Sequence, residues 1–273
     1  MKRVLSILLL LCLMSVMIAP TFAAEEKITI YVNSIEVSSA DIKLVSGTPY
    51  VTAAACLAIG SKSCDIQSDG DYLQALGSFA KNQVYAIVTS KGNKYINANG
   101  RYLYIPKRVQ QIDGKIALPL SVYAKIFGGA VTRSSKNKNI FYLKTGTIDL
   151  TFGSEFYNDR VVKIMARTIY SEAGNQSLEG KIAVGNVICN RVWSPKFPNT
   201  VSAVVLEKNQ FSGTQTHYFN EEPPESCYIA AKLALEGVEI YSGALYFNIT
   251  GMNTWAYRNR KFLGTLGDHD FFR

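Results

Sequence analysis

The feature that most constrains this chain is a change of hydrophobic period near its middle. Before residue 144 the apolar residues come in short β-rich runs. Ile28-Thr29-Ile30-Tyr31-Val32 and Val84-Tyr85-Ala86-Ile87-Val88 are two of them, and Asn99-Gly100 and Asp113-Gly114 mark turns. Short helical stretches, Ala53–Ile59 and Leu120–Phe127, interrupt the strands. After residue 158 the spacing becomes helical. Val161, Val162, Met165 and Ile169 share one face behind an Asn158 or Asp159 cap. Ser177 caps a second helix carrying Ile182, Val184, Val187, Ile188 and Cys189. Thr200 opens a third helix through Leu206, and Tyr228 to Val238 reads as a fourth. Ala244–Ile249 and Thr254–Tyr257 read as extended. The two periods need two cores, and 273 residues suffice for both. The expected architecture is α+β: a β-rich N-terminal domain over 25–144, a linker over 145–157 and a mostly helical domain over 158–273.

Composition excludes several classes. Apolar residues make up 48% and charged residues 18%, enough to build cores and unlike a disordered chain. Twenty glycines and eight prolines, without a period, exclude a collagen-like chain. Two histidines argue against a His-rich metal centre, and no metal or other cofactor is expected.

Lys2 and Arg3 precede an apolar run from Val4 to Ala19, and Pro20 and Thr21-Phe22-Ala23 follow. This pattern reads as a signal peptide over 1–23, cleaved after Ala23. The run is short for a bilayer span, so no stable membrane anchor is expected. Cys12 lacks the small residues that precede a lipoprotein cysteine. Export permits disulfides, with Cys56–Cys64 and Cys189–Cys227 as the pairings; the alternative is four small buried hydrophobes.

The N-terminal part repeats itself. Gly47-Thr-Pro-Tyr-Val and a helix ending near Gly60 are echoed by Gly114-Lys-Ile-Ala-Leu-Pro-Leu and a helix ending at Gly128-Gly129. The offset of about 67 residues suggests a duplicated β-β-α unit. The rhythm of residues 27–144 is similar to the wall-associated copper amine oxidase N-terminal-like domain. Its copper does not carry over, because no histidine precedes His217.

Glu172 ends the first helix of the C-terminal half, directly behind an apolar face. Burial there would raise its proton affinity, which suits an acid that protonates a glycosidic oxygen; most glutamates, however, are solvated. The surrounding stretch tips the balance. Ala166-Arg-Thr-Ile-Tyr-Ser-Glu-Ala-Gly-Asn-Gln-Ser-Leu-Glu-Gly-Lys-Ile-Ala-Val-Gly-Asn-Val-Ile-Cys-Asn-Arg-Val resembles the SleB/CwlJ-type cell-wall hydrolases, the spore cortex-lytic enzymes. Ser194-Pro-Lys-Phe-Pro-Asn-Thr-Val, Asn209-Gln-Phe-Ser, Gly243-Ala-Leu-Tyr-Phe and Gly267-Asp-His-Asp-Phe-Phe continue the match in order over 160–273.

That resemblance implies a lysozyme-like catalytic domain acting on the glycan strands of peptidoglycan, with Glu172 as the catalytic acid. It implies a lytic transglycosylase that forms 1,6-anhydromuramic acid with a single carboxylate, unlike two-carboxylate hydrolysis. It places the protein outside the cell, at the spore cortex or cell wall. Gly174, Asn175 and Gln176 stand where the family has arginine, glycine and glutamate, so a substrate grip or helix brace is expected to be missing. Gln210, Ser212, Tyr246, Asn248 and His269 fall in the matched segments and are candidate substrate contacts, while Phe211 reads as packing. Glu179 is the candidate second acid or helix cap.

Three rivals are weaker. A zinc amidase lacks its H-E-x-x-H or a comparable cluster. A cysteine peptidase pairing Cys189 with His269 would put a thiolate in the apolar run Val187-Ile188-Cys189. A wall-binding protein with an inactive catalytic domain is compatible with the departures at 174–176.

Net charge is +8, with a pI near 9.1. Residues 155–273 hold 12 basic and 12 acidic side chains and are neutral. Residues 101–144 hold nine basic side chains against Asp113 alone. The expected partner of this stretch is an anionic wall polymer, not nucleic acid.

Overall fold

The computed structural model describes residues 27–78, 84–146, 150–208 and 210–273. The leader expected over 1–23 lies outside these residues.

Two hydrophobic cores form, one from residues between Ile28 and Leu143 and one from residues between Tyr157 and Phe271. In the first, β1 (Thr29–Val32) and β2 (Ile35–Glu36) lead into β3 (Ile42–Val45), β4 (Thr48–Thr52) and α1 (Ala53–Gly60). A meander follows: β5 (Ser63–Ser68), β6 (Tyr72–Ser78), β7 (Val84–Ser90), β8 (Tyr95–Ala98) and β9 (Arg101–Tyr104). Then come β10 (Gln110–Ile112), β11 (Lys115–Pro119), α2 (Leu120–Ile126), β12 (Ala130–Arg133) and β13 (Ile140–Lys144).

The duplicated β-β-α unit is present. It runs β3-β4-α1 and again β10-β11-α2. Both hairpins turn through two positive-φ residues, Ser46-Gly47 (45° and 78°) and Asp113-Gly114 (47° and 76°), the geometry that suits the right-handed twist of paired strands. The copies join back to back in a sheet ordered β10-β11-β4-β3, with Val51 opposite Leu118. The helices interlock where the copies differ. A Cβ on Gly60 would lie 2.4 Å from the Phe127 ring, so the missing side chain of one copy makes room for the large one of the other. A second sheet, β12-β13-β1-β2, brings both ends of this region together through a parallel β1–β13 pair.

The second core is built on α4 (Asp159–Ala173), α5 (Leu178–Trp193), α6 (Val201–Val205) and α7 (Glu225–Leu235), preceded by the short α3 (Gly153–Phe156). Asn158, Ser177 and Thr200 cap α4, α5 and α6 through their side chains. Helices α5 and α7 approach closely at Gly185, where a Cβ would meet that of Ala234 at 2.9 Å. A small antiparallel sheet, β14 (Tyr246–Ile249), β16 (His269–Phe272) and β15 (Phe262–Leu266), closes the region. Between β14 and β15 the expected extended segment is instead a helix, α8 (Trp255–Asn259), because the Thr254 hydroxyl accepts from the Tyr257 N–H as an N-cap.

The segment 145–157, read as a linker, is anchored at both ends among its described residues. Its Gly146 and Gly153 N–H groups bond to Phe127 and Asn99, and Tyr157 joins the second core. One further expectation, the disulfides, is corrected. Among the described residues the cysteines form no disulfide: Cys56 and Cys227 are buried, and Cys64 and Cys189 are half-buried. They pack as small hydrophobes, and burial pushes the Cys56 thiol well up and the Cys189 thiol to about 11, which keeps both protonated.

The meander carries the seam between the two cores. Arg101 on β9 makes a bidentate pair with Glu236 just past α7 (2.7 and 2.6 Å), and its guanidinium sits 3.5 Å from the Phe156 ring. The Tyr157 hydroxyl donates to the same carboxylate at 2.6 Å. Arg101 is thus withdrawn from the basic surface of 101–144, whose other eight cations are exposed.

Candidate active site

Glu172 lies in the last turn of α4, the amphipathic helix whose Met165, Ala166, Ile169 and Ala173 enter the core. The helix face that buries those residues also carries Glu172 out of bulk water. One carboxylate oxygen accepts a hydrogen bond from the Gly213 backbone N–H at 2.6 Å. This approach depends on glycine: a Cβ at 213 would lie 2.6 Å from Ser171 Oγ and 2.8 Å from Glu172 Oε1.

Beneath this pair, Arg191 projects from α5 and is almost wholly buried. Its Nε donates to the Leu245 carbonyl at 2.8 Å, and its guanidinium lies 4.9 Å from the Phe197 and Phe211 rings and 5.7 Å from Tyr246. Burial raises the proton affinity of Glu172, while the Gly213 N–H and the Arg191 charge pull the other way; burial wins, and the carboxyl stays above the ordinary glutamate range. Burial costs Arg191 as well, pulling its guanidinium down to about 10. The carboxyl opens into a cleft of about 330 Å³ lined by Tyr170, Ser171, Glu172, Gly174, Asn175 and Tyr218. Tyr170 and Tyr218 pack edge to face at 5.6 Å on its wall.

The other sequence candidates divide. Gln210 and Ser212 are exposed on the loop whose next residue, Gly213, holds Glu172. Tyr246, half-buried on β14, touches the same Arg191. Three candidates lie elsewhere. Asn248 accepts from the Thr254 hydroxyl and donates to the Ile249 carbonyl, so it fixes the entry to α8. His269 is buried on β16 with its ring against Phe247 at 5.3 Å; burial lowers its proton affinity and favours the neutral imidazole.

Glu179 stands in the first turn of α5. Ser177 makes the cap, and Glu179 takes an ion pair from Lys94 and a 3.0 Å hydrogen bond from the Tyr104 hydroxyl. Burial acts to raise its proton affinity, but the bonds from Lys94, its own backbone and Tyr104 prevail and lower it.

The departure at Gln176 does not remove the helix brace. Its buried amide donates to Asp268 Oδ2 at 2.8 Å and accepts from the Asp268 N–H at 3.1 Å, tying the end of α4 to the β15–β16 turn. A glutamate there would set one carboxylate against another. Sequence reasoning missed Arg191, Gly213, Tyr170 and Tyr218. The one available signal was an arginine inside the apolar run Val187–Val192, since an arginine there must find partners in the core.

Comparison with known proteins agrees with this region. The cell wall hydrolase family matches residues 175–272, beginning just after Glu172. A spore cortex-lytic enzyme of Halalkalibacterium halodurans is 34% identical over 117 residues, covering 42% of this chain and 35% of that protein. The Bacillus subtilis spore cortex-lytic enzyme is 31% identical over 117 residues, again 42% of this chain and 38% of that protein. The chain therefore spans well under two thirds of these relatives' own length. Among solved structures, the catalytic domain of the Bacillus cereus SleB protein is 30% identical, with 43% of this chain and 92% of that one covered at a TM-score of 0.41. The SleB catalytic domain of Bacillus anthracis, a germination-specific lytic transglycosylase, has the same identity and TM-score, with 43% and 97% covered. The helical region of this chain belongs to the cell wall hydrolase family.

Proposed function

We propose that the chain is a secreted peptidoglycan-lytic enzyme that cuts glycan strands after N-acetylmuramic acid, by lytic transglycosylation, in spore cortex or cell wall. The carrying observation is a desolvated carboxyl, Glu172, in an open cleft and bonded, among the described residues, by a backbone N–H alone. Raised proton affinity keeps such a group protonated nearer neutral pH, where it gives its proton to the leaving glycosidic oxygen. As the carboxylate forms, the Gly213 N–H and the Arg191 charge stabilise it. The same oxygen pair then takes the proton of the muramic C6 hydroxyl, which closes onto C1 and gives the 1,6-anhydro product.

Among the described residues lining the cleft, Glu172 is the only carboxyl. This supports the single-acid route over hydrolysis by two carboxylates. The reading divides the chain into a signal peptide over 1–23, a β-rich domain over 25–144 and a lysozyme-like cutting domain over 158–273. The β-rich domain holds anionic wall polymer through the exposed cations of 101–144, with an affinity that falls as salt rises. Mass spectrometry of purified peptidoglycan digested by the protein tests the reaction. Anhydro-muropeptides are expected; new reducing ends would make the enzyme a hydrolase, and no product would make it a binder.

A further inference from the structure

A chain of packed side chains runs through the interior from the loop that holds Glu172 to a half-open tryptophan. The loop that holds Glu172 carries Phe211, which lies against Arg191, and Arg191 lies against Tyr246. Tyr246 meets the edge of Trp255 at 5.7 Å. The Arg260 guanidinium bridges both, 5.1 Å from the Tyr246 ring and 4.3 Å from the Trp255 ring.

Trp255 is 50% exposed although three contacts fix it: the Arg260 cation, the Tyr246 edge, and the Thr254–Asn248 hydrogen bond (2.7 Å) that pins the start of α8 to β14. A lone exposed ring is ordinary; a ring held rigid with half its surface left to solvent presents a flat apolar platform. Among the described residues no carboxylate pairs with Arg260. The cations Arg258, Lys261 and Arg273 stand beside it in sequence or across the Lys261–Arg273 backbone pairing. Asp270, on the adjoining strand β16, is buried and held by Thr265, Thr250 and the Gly251 N–H.

We propose that Trp255 and Arg260 form a second carbohydrate subsite, beyond Tyr246, for a sugar of the same strand that bears a carboxylate. The indole covers the apolar face of a pyranose ring, and the guanidinium pairs with a carboxylate on its lactyl or peptide substituent. This rests on the glycan-cleaving reading for the identity of the ligand.

The chain contains two tryptophans, Trp193 and Trp255, so Trp193→Phe leaves Trp255 as the sole indole reporter. Trp193 is 85% exposed at the end of α5, and its replacement disturbs no packing. In full-length Trp193→Phe/Glu172→Gln protein, soluble peptidoglycan strands should change the Trp255 emission saturably. Adding Arg260→Gln should weaken that binding roughly tenfold yet leave binding of a neutral chitin oligosaccharide unchanged. Trp255→Ala in the cleavage-blocked protein, followed by co-sedimentation with peptidoglycan, should weaken binding.

A silent Trp255 overturns the subsite, whether or not strands bind elsewhere. Equal losses on both ligands after Arg260→Gln overturn the carboxylate pairing. Wild-type cleavage is measured alongside. Cleavage with a silent Trp255 removes the subsite and leaves the enzyme; a responsive Trp255 without cleavage does the reverse.

Discussion

Two glutamates seven residues apart, Glu172 at the cleft and Glu179 at the seam, meet opposite surroundings. At the cleft no cation among the described residues pairs with the carboxyl, which meets one backbone N–H. At the seam the β-rich region reaches across with Lys94 and Tyr104, and the carboxyl is paired. Both sites are partly desolvated; what differs is the partner. Burial without a salt bridge makes an acid that holds its proton, and burial with one makes a fixed anion. The β-rich region thus pairs, through Lys94 and Arg101, carboxylates of the helical region that would otherwise be stranded.

The contrast can be broken from either side. The largest effect is expected from Glu172→Gln, which should lower cleavage of purified peptidoglycan by about 10²–10⁴-fold without changing the melting temperature. Glu179→Gln should stay within a few-fold of wild type in the same assay. A comparable loss in the second variant would put the acid at the wrong residue.

Arg101→Ala should come next. It leaves the nearly buried Glu236 with only the Tyr157 hydroxyl and should cost about 3 kcal/mol in urea unfolding. Replacing Arg101 and Glu236 together by Met should cost much less, since no charge is left unpaired.

Arg191→Met sharpens the account of the cleft. The Arg191 charge lowers the proton affinity of Glu172, so its loss should raise it. On the proposed mechanism the protonated form is the working acid, so the alkaline limb of the pH–rate profile should move to higher pH. A limb that moves down or stays put would remove Arg191 from the electrostatics of the site.

The smallest effect is expected at Lys94. Lys94→Ala should cost about 1 kcal/mol at neutral pH, because the pair is only partly buried. Glu179 has its folded-state value lowered, so its contribution is present above the ordinary glutamate range and is lost as pH falls through the lowered value. Unfolding of the two proteins should therefore converge in acid.

Much of this was legible in the sequence because it is local. The β-β-α repeat could be read from its turn pairs, and the two hairpins turn through matching positive-φ residues. Glu172 could be read from its place behind an apolar helix face and from the matched motif. Long-range features could not. No local pattern joins Lys94 to Glu179 or Arg101 to Glu236, since these pairs are 85 and 135 residues apart. The departure at Gln176 read as a lost brace because its partner, Asp268, lies on a turn 92 residues away. Cysteine spacing suggested bridges where burial alone accounts for the thiols. Thr254 read as strand until its hydroxyl was found capping a helix.

The most direct test of the central claim is a carbon-13 NMR titration of the glutamate side-chain carboxyls in the intact protein, with Glu172→Gln and Glu179→Gln used to assign the two resonances. The account predicts that Glu172 releases its proton above the ordinary glutamate range and Glu179 below it. Coincident titrations, or Glu179 titrating above Glu172, would contradict it.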